Sequence, residues 1–318
     1  MTLDEMMAAW CDDSPTMTVQ TSGSTGEPKP LNVEKQRMRA SARMTCDFLG
    51  LRKGDQALLC LPLDYIAGKM MVVRALTCGL KLMAVPPSGH PLAHVPDDTR
   101  IDFAAMVPMQ VYNSLQVERE RRLLANIGHL IIGGGAVDDR LAERLRDFPH
   151  SIWSTYGMTE TLSHVAMRKI NGSDATSWYT PLPGVRLSQD ADGCLVIDAP
   201  QLCHGTLRTH DIVTMADDGR RFMVLGRLDN VICCGGIKIQ AEEVERILSH
   251  YLWKPFLITK EKDEKYGEIP VLMTEGEDKK RIEDIISNVL PKYWKPRKIV
   301  SVSQLPRTET GKLKRKLQ

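Results

Sequence analysis

The sequence predicts an α/β protein with a mainly parallel sheet flanked by helices, an antiparallel β region, and a small mobile α+β C-terminal domain. Three observations carry this. Short apolar runs alternate with helical periodicities from residue 35 to 155, two Asp-Gly turns separate extended runs between 184 and 225, and the composition shifts after "LGRLDN". A first domain at 1–226 and a second at 227–318 follow.

Taken in order, Met38, Ala42, Cys46 and Leu49 recur at spacings of four, four and three, the mark of a helix with one buried stripe. The runs "QALLCL" (56–61), "KLMAV" (81–85), "DFAAMV" (102–107) and "HLIIGGG" (129–135) read as short buried strands. Leu141, Leu145 and Phe148 mark another helix, and "SIWSTYG" (151–157) another strand. Strand and helix units of this length favour parallel pairing. "VRLSQDADGCLVID" and "IVTMADDGRRFMVLG" each place Asp-Gly between extended runs, which predicts antiparallel hairpins. Beyond residue 230 a helix with Val244, Ile247, Leu248 and Tyr251, strands near 255–259 and 269–273, and a helix with Ile282, Ile285, Ile286 and Val289 predict a compact α+β unit.

Composition narrows the function classes. The 318 residues are 42% hydrophobic, enough for a sizeable core, and a formal net charge of +2 gives no general case for a nucleic-acid or membrane partner. Nine Lys or Arg crowd residues 292–318, a pattern commonly met on a solvated surface. The eight cysteines (Cys11, Cys46, Cys60, Cys78, Cys194, Cys203, Cys233, Cys234) are scattered without a CxxC, so neither a zinc site nor a disulfide framework is expected. The acidic, weakly apolar start and the lack of a long apolar run predict a soluble cytoplasmic protein with no membrane insertion. The adjacent Cys233 and Cys234 have no visible companion base and read as small buried apolar residues.

Residues 18–30, "TVQTSGSTGEPKP", are the densest local signal. Gly23 and Gly26 allow close backbone approach, Thr21, Ser22, Ser24 and Thr25 add hydroxyls, and Lys29 adds a compact positive charge. Such a loop can wrap phosphate oxygens. The GxxxxGK[ST] spacing fails, because Pro28 stands where its second glycine would be and Pro30 follows Lys29. A flexible Gly/Ser linker is the plain alternative.

Six stretches in order, "TSGSTGEPK", "GGGA" (133–136), "YGMTET" (156–161), "THD" (209–211), "GRLDN" (226–230) and "PRTETGKLKR" (306–315), make nearly the whole chain resemble the adenylate-forming acyl-CoA synthetase (ANL) superfamily. Members couple a carboxylic acid to ATP, giving an acyl-adenylate and pyrophosphate, then pass the acyl group to the thiol of coenzyme A. The resemblance implies that Thr21, Ser22, Gly23, Ser24, Thr25, Gly26 and Lys29 hold the β- and γ-phosphates. Gly133, Gly134, Gly135 and Ala136 would line the adenine slot, with Tyr156 and Gly157 beside the base. Thr159 would touch the α-phosphate and Glu160 would bind Mg²⁺. Asp211 would accept from the ribose hydroxyls and Arg227 would contact the same sugar or phosphate, although His210 stands where glycine is usual. Lys312 would approach the reacting carboxylate and α-phosphate, Asp229 would be the hinge of a rotating small domain, and Gly235 and Gly236 would give room to a pantetheine arm.

Three stretches, 61–75, 155–167 and 226–245, are most similar to the o-succinylbenzoate-CoA ligases of menaquinone biosynthesis. That substrate carries a second carboxylate on its ring and needs a second cation. Arg74 matches a basic family position and has a planar fork, while Lys69, five residues earlier, points about 140° away on a helix. Tyr65, Ser163 and His164 are further acyl-pocket candidates. Another aryl or fatty acid-CoA ligase, and a non-catalytic nucleotide-binding scaffold, are the alternatives. Family members usually carry a long portion before the phosphate loop, which here opens at Thr21. A compact ligase and a pocket completed in a homo-oligomer are open at this stage, and the intact Glu160, Asp211, Arg227 and Lys312 argue against a degenerate chain.

Overall fold

The computed structural model describes residues 1–20, 30–276, 278–307, 313 and 315. By contacts the chain divides into one unit of Met1–Leu187, Ile197–Leu207 and Ala216–Phe222, and a second of Ser188–Val196, Arg208–Met215 and Met223–Gln318.

The first unit opens with α1 (Leu3–Cys11), whose N-cap Thr2 and Glu5 form a capping box. The hairpin of β1 (Thr16–Gln20) and β2 (Pro30–Glu34) follows, in register Gln20 opposite Pro30. Then come α2 (Lys35–Leu49), β3 (Gln56–Leu59), α3 (Ile66–Cys78), β4 (Lys81–Ala84), β5 (Phe103–Met106), α4 (Pro108–Ser114) and α5 (Glu118–Ala125). The series continues with β6 (His129–Ile132), α6 (Asp139–Leu145), β7 (Ser151–Gly157), β8 (His164–Lys169) and β9 (Thr180–Pro181). Its seven-stranded sheet has the order β4-β3-β5-β6-β7-β8-β9. Strands β4 to β7 run parallel, and β8 and β9 return antiparallel. The mainly parallel sheet is as expected.

Helix α2 buries the predicted stripe of Met38, Ala42, Cys46 and Leu49, together with Thr45, and stops at a left-handed Gly50. Helix α3 is different, for every residue from Gly68 to Ala75 is buried. "GKMMVVRA" is apolar around most of its circumference, and such a helix belongs inside. It packs on α2 and on β3 and β4. The core between sheet and helices includes Leu58, Ala104, Met106, Leu130, Ile132 and Ile152.

A four-stranded sheet in the order β10 (Arg186–Gln189), β11 (Cys194–Asp198), β12 (Thr206–Met215), β13 (Phe222–Arg227) contains both predicted Asp-Gly turns between neighbouring strands. The second unit then runs β14 (Val231–Cys234), β15 (Ile237–Gln240), α7 (Ala241–Ser249), β16 (Phe256–Asp263), β17 (Gly267–Glu275), α8 (Lys279–Val289) and β18 (Lys298–Val302). Its sheet orders β15-β14-β17-β16, with β18 parallel to β17. Ile232, Ile239, Val244, Leu248, Leu272, Ile282 and Ile286 form the core. Two helix expectations shorten. Phe148 falls beyond α6, and α7 ends before Tyr251, which is 45% exposed because the chain turns at His250 to reach Leu252, buried in the core. Among the described residues no helix is long and apolar enough to cross a membrane.

Candidate active site

The motif residues of the first unit gather at one edge of its sheet. "GGGA" follows the C-terminal end of β6, "YGMTE" spans the C-terminal end of β7, and the segment leading into α3 follows β3. In open α/β sheets that edge is where ligands bind, at the point where strand order reverses. The reversal here lies at β3, which has β4 on one side and β5 on the other.

Thr21, Ser22, Gly23, Ser24, Thr25, Gly26 and Lys29 lie outside the described residues, as does Lys312. The roots of the first stretch are nevertheless placed. Gln20 pairs with Pro30 across the hairpin and also bridges in parallel to Tyr65, the N-cap of α3. Gln20 therefore lies beside the start of the helix that carries Lys69 and Arg74.

Gly133 and Gly157 have room only for backbone. A Cβ on Gly133 would lie 2.5 Å from Thr155 Oγ1, and one on Gly157 would lie 2.3 Å from Ser163 O. Gly134, Gly135 and Ala136 are exposed. A planar base can lie against such a surface. Tyr156 stands beside it, held edge-on by Tyr179 and Phe222 at centroid distances of 5.9 and 5.0 Å. Thr159 is buried at 7% exposure and Glu160 is exposed at the start of the same turn. Among the described residues no group of three or more His, Cys, Asp or Glu could hold a metal.

The turn after Glu160 joins the nucleotide motif to the acyl candidates. Leu162 is the one non-glycine residue with positive φ (66°) among the described residues, a conformation costing about 1–3 kcal/mol. Thr161 holds it, its hydroxyl accepting from Met158 N at 3.0 Å. This tight return sets Gly157 opposite His164, with a register shift at Tyr156/Gly157.

Ser163 and His164 then close a buried chain. Arg74 Nη2 donates to Ser163 Oγ at 2.6 Å, Ser163 Oγ lies 3.2 Å from His164 Nδ1, and His164 Nε2 lies 3.1 Å from Thr45 Oγ1. Thr45 gives its hydroxyl proton to Ser41 O at 3.1 Å. With that proton committed, Thr45 accepts from His164 Nε2–H, and Nδ1 accepts from Ser163. Burial, with Arg74 nearby, holds the His164 pKa well below 6.5, so the ring is neutral in this tautomer. Thr45 was not legible in the sequence. It lies 119 residues from His164 and looks like one more buried helix position.

Arg74 is 2% exposed, its Nε has no hydrogen-bond partner, and no carboxylate among the described residues pairs with it. Burial pulls its pKa down to about 10, which leaves it charged at neutral pH. Lys69 is also buried, and its Nζ meets Met1 Sδ at 3.1 Å. Neither is a solvated helix residue, and they point to different partners. Tyr65 is half-buried.

In the second unit Arg227 donates from Nη1 to Asp211 Oδ1 at 3.1 Å and from Nη2 to Asp229 Oδ2 at 2.8 Å. His210 Nδ1 lies 3.0 Å from both Asp229 oxygens. Asp211, Arg227, Asp229 and the unusual His210 thus form one cluster. Gly235 and Gly236 make the two-residue turn between β14 and β15 with φ of 57° and 84°, so conformation alone requires glycine at each. Cys234 is buried as expected, but Cys233 is exposed, because strand alternation sends it to the opposite face. That face lines a cleft of about 490 Å³ with Val231, Lys238, Lys260 and Glu268.

Arg315, to which the sequence reading gives no role, is tied down. It donates to Glu245 and to Ile258 O at 2.6 Å, and it pairs with Glu242 at 3.6 Å. Arg307 and Leu313 form an isolated bridge across the intervening stretch.

Residues 4–202 match the family described as AMP-binding enzyme. The chain is 25% identical over 329 aligned positions to a 2-succinylbenzoate–CoA ligase from Bacillus thuringiensis subsp. konkukian (strain 97-27), covering 94% of this chain and 68% of that protein. It is 34% identical to an acyl-CoA synthetase (AMP-forming)/AMP-acid ligase II-like protein from Dyadobacter fermentans DSM 18053, with a TM-score of 0.67 over 97% of this chain and 90% of the other. The fold is shared at TM-score 0.78 and 22% identity with an o-succinylbenzoate coenzyme A synthetase from Bacillus subtilis in complex with ATP and magnesium ion, over 94% of this chain and 68% of that one. With a family match over most of the first unit, and its motif loops at the ligand-binding edge of the sheet, the chain belongs to the AMP-binding enzymes.

Proposed function

We propose that the protein is an AMP-forming acid-CoA ligase whose acid is o-succinylbenzoate. The observation that carries the substrate assignment is Arg74, a buried guanidinium with no carboxylate of its own, on a helix that starts at the ligand-binding edge. A buried charge left unpaired is costly, and an anionic ligand group is the natural complement. The ring carboxylate of o-succinylbenzoate, which is not the one activated, supplies it. Relatives named for this ligase reaction support the same reading.

The reaction has two halves. A carboxylate oxygen of the succinyl chain attacks the α-phosphorus of ATP, the bond to the bridging oxygen breaks, and pyrophosphate leaves. The CoA thiol, losing its proton, then attacks the acyl carbon and AMP leaves. Magnesium, when bound at Glu160, would offset charge on the phosphates. The stretch Thr21–Lys29 would hold those phosphates through backbone amides, hydroxyls and Lys29. Gly133–Ala136 and Tyr156 would take the adenine, with Gly157 letting the turn close behind it, and Thr159 would donate to the α-phosphate. Asp211, already oriented by Arg227, would accept from the ribose. Lys312 would neutralise charge on the reacting oxygens. Ser163 and neutral His164 position Arg74, while Tyr65 and Lys69 flank the entrance to α3.

Domain 227–318 would rotate about Asp229 between the halves, bringing Gly235, Gly236 and the cleft at Cys233 toward the pantetheine arm. ATP, Mg²⁺ and coenzyme A are the co-substrates and ion this reading requires.

Pyrophosphate release measured against a panel of carboxylic acids tests it. Release with o-succinylbenzoate well above benzoate, succinate and fatty acids is the expected result. Faster release with a monocarboxylate would overturn the substrate, and ATP binding without release for any acid would overturn the ligase.

A further inference from the structure

The last residue of α3 brings a second reactive group toward Arg74. Cys78 is half-buried, and its Sγ lies 3.9 Å from Ala42 O on α2, one turn before the buried Cys46. That carbonyl is the helical acceptor for Cys46 N, so Cys78 packs against the rung of α2 that carries Cys46. The two thiols are near enough to shift each other's acidity in opposite directions, and both feel the charge of Arg74. Both are free thiols.

The pair is unequal. A helix C-terminus disfavours an anion, yet the Cys78 thiol is held below its ordinary range, first by the hydrogen bond from Cys46 and with help from Arg74 and Arg43. Cys46 is pushed the other way by that same bond and by burial. Cys78 is therefore the accessible nucleophile and Cys46 the buried resolving thiol.

We propose that Cys46 and Cys78 form an oxidisable dithiol whose disulfide ties α2 to α3 beside Arg74. The oxidant is a small-molecule disulfide such as glutathione disulfide. Cys78 thiolate attacks one of its sulfurs, forming a mixed disulfide and releasing one glutathione thiolate, which takes up a proton. Cys46 then gives its proton to solvent and attacks the Cys78 sulfur, expelling the second glutathione thiolate. Two protein thiols are oxidised, and one glutathione disulfide is reduced to two glutathiones. Because Arg74 lies one turn before Cys78 on α3, the bond changes the surroundings of the carboxylate site proposed above. The chemistry of the pair does not depend on which acid the protein activates.

The test uses the reduced full-length chain, treated with glutathione disulfide, acid-quenched, alkylated and digested with trypsin. Cys46 and Cys78 fall in separate peptides, residues 44–52 and 75–81. The expected result is these two peptides joined, lighter by two hydrogens than their sum and separated by dithiothreitol. Cys46→Ser should stall as a Cys78 mixed disulfide, and Cys78→Ser should leave Cys46 free to alkylate. The exposed Cys11 and Cys233 are internal controls. Glutathione on Cys11 and Cys233 while 44–52 and 75–81 remain fully alkylated would overturn the proposal, and that readout on the unaltered chain needs no variant to fold.

Discussion

Arg74 in the first unit and Arg227 in the second are both held in hydrogen-bonded networks, but the networks differ in kind. Arg227 is half-exposed and faces two carboxylates, Asp211 and Asp229, with His210 behind them. Arg315, deeper in the same unit, likewise faces two, Glu242 and Glu245. Arg74 is nearly inaccessible and faces a hydroxyl, a thioether and two thiols. The cations of the second unit are neutralised by the protein and act by orienting their carboxylates. Among the described residues no carboxylate faces the cation of the first, and the ligand proposed above would supply one.

The largest expected effect comes from the cation that the second unit is proposed to contribute to the chemistry. Lys312→Ala should slow adenylation by roughly two to three orders of magnitude, the loss found on removing a transition-state donor. Preformed acyl-adenylate should still react with CoA at a near-normal rate. Rapid-quench measurement of the two halves checks this, and equal damage to both would contradict a lysine used in only one half.

Next in size is Arg74→Ala. It should lower kcat/KM for o-succinylbenzoate roughly thirtyfold or more, about 2 kcal/mol, because the ring carboxylate is left buried and unpaired. An analogue with hydrogen in place of that carboxylate should lose much less, and ATP affinity should barely change. The cycle of variant against analogue measures the coupling directly. Equal losses for both acids would make Arg74 a structural cation like Arg315.

Arg227→Ala probes the opposite arrangement. Asp211 loses one donor that orients it, so ATP binding should weaken roughly tenfold, the worth of about one charge-assisted hydrogen bond. Folding stability should fall by about 1 kcal/mol or less, since the pairs are partly exposed and screened by water. Isothermal titration with ATP and thermal melts separate the two.

The difference between the regions also decided what was readable in advance. The parallel strands and Asp-Gly hairpins are local signals, as periodicity and turn chemistry act over a few residues. Arg74 was legible from its place in a motif. Its depth came from the burial of α3 on every side, which also buried Lys69 despite the wide angle between them. Thr45 and the strained Leu162 were not legible, since each depends on a partner chosen by the fold: a histidine 119 residues away and the return into β8. Cys233 was misread as buried because strand alternation, rather than composition, sets its face. The pairing of His210 with Asp229 needed strands β12 and β13 side by side before it meant anything.

The smallest effect is a pH dependence set by the buried His164. His164 is buried and neutral, with its pKa held well below 6.5 by burial first and Arg74 second. Above about pH 6.5 folded and unfolded chains both carry it neutral, and it adds no pH dependence. As pH falls below that value the unfolded chain takes up a proton that the folded chain refuses. Stability must then fall with pH, approaching about 1.4 kcal/mol per unit and reaching under about 1 kcal/mol of loss at pH 6. His129, half-buried with its pKa also lowered, contributes in the same direction, so the slope should shrink rather than vanish in His164→Gln. Denaturant melts from pH 7.5 to 5.5 of the wild type and His164→Gln check the sign. An unchanged slope in His164→Gln would mean that the ring already binds a proton in the folded state, and the neutral relay from Thr45 to Arg74 would fail with it.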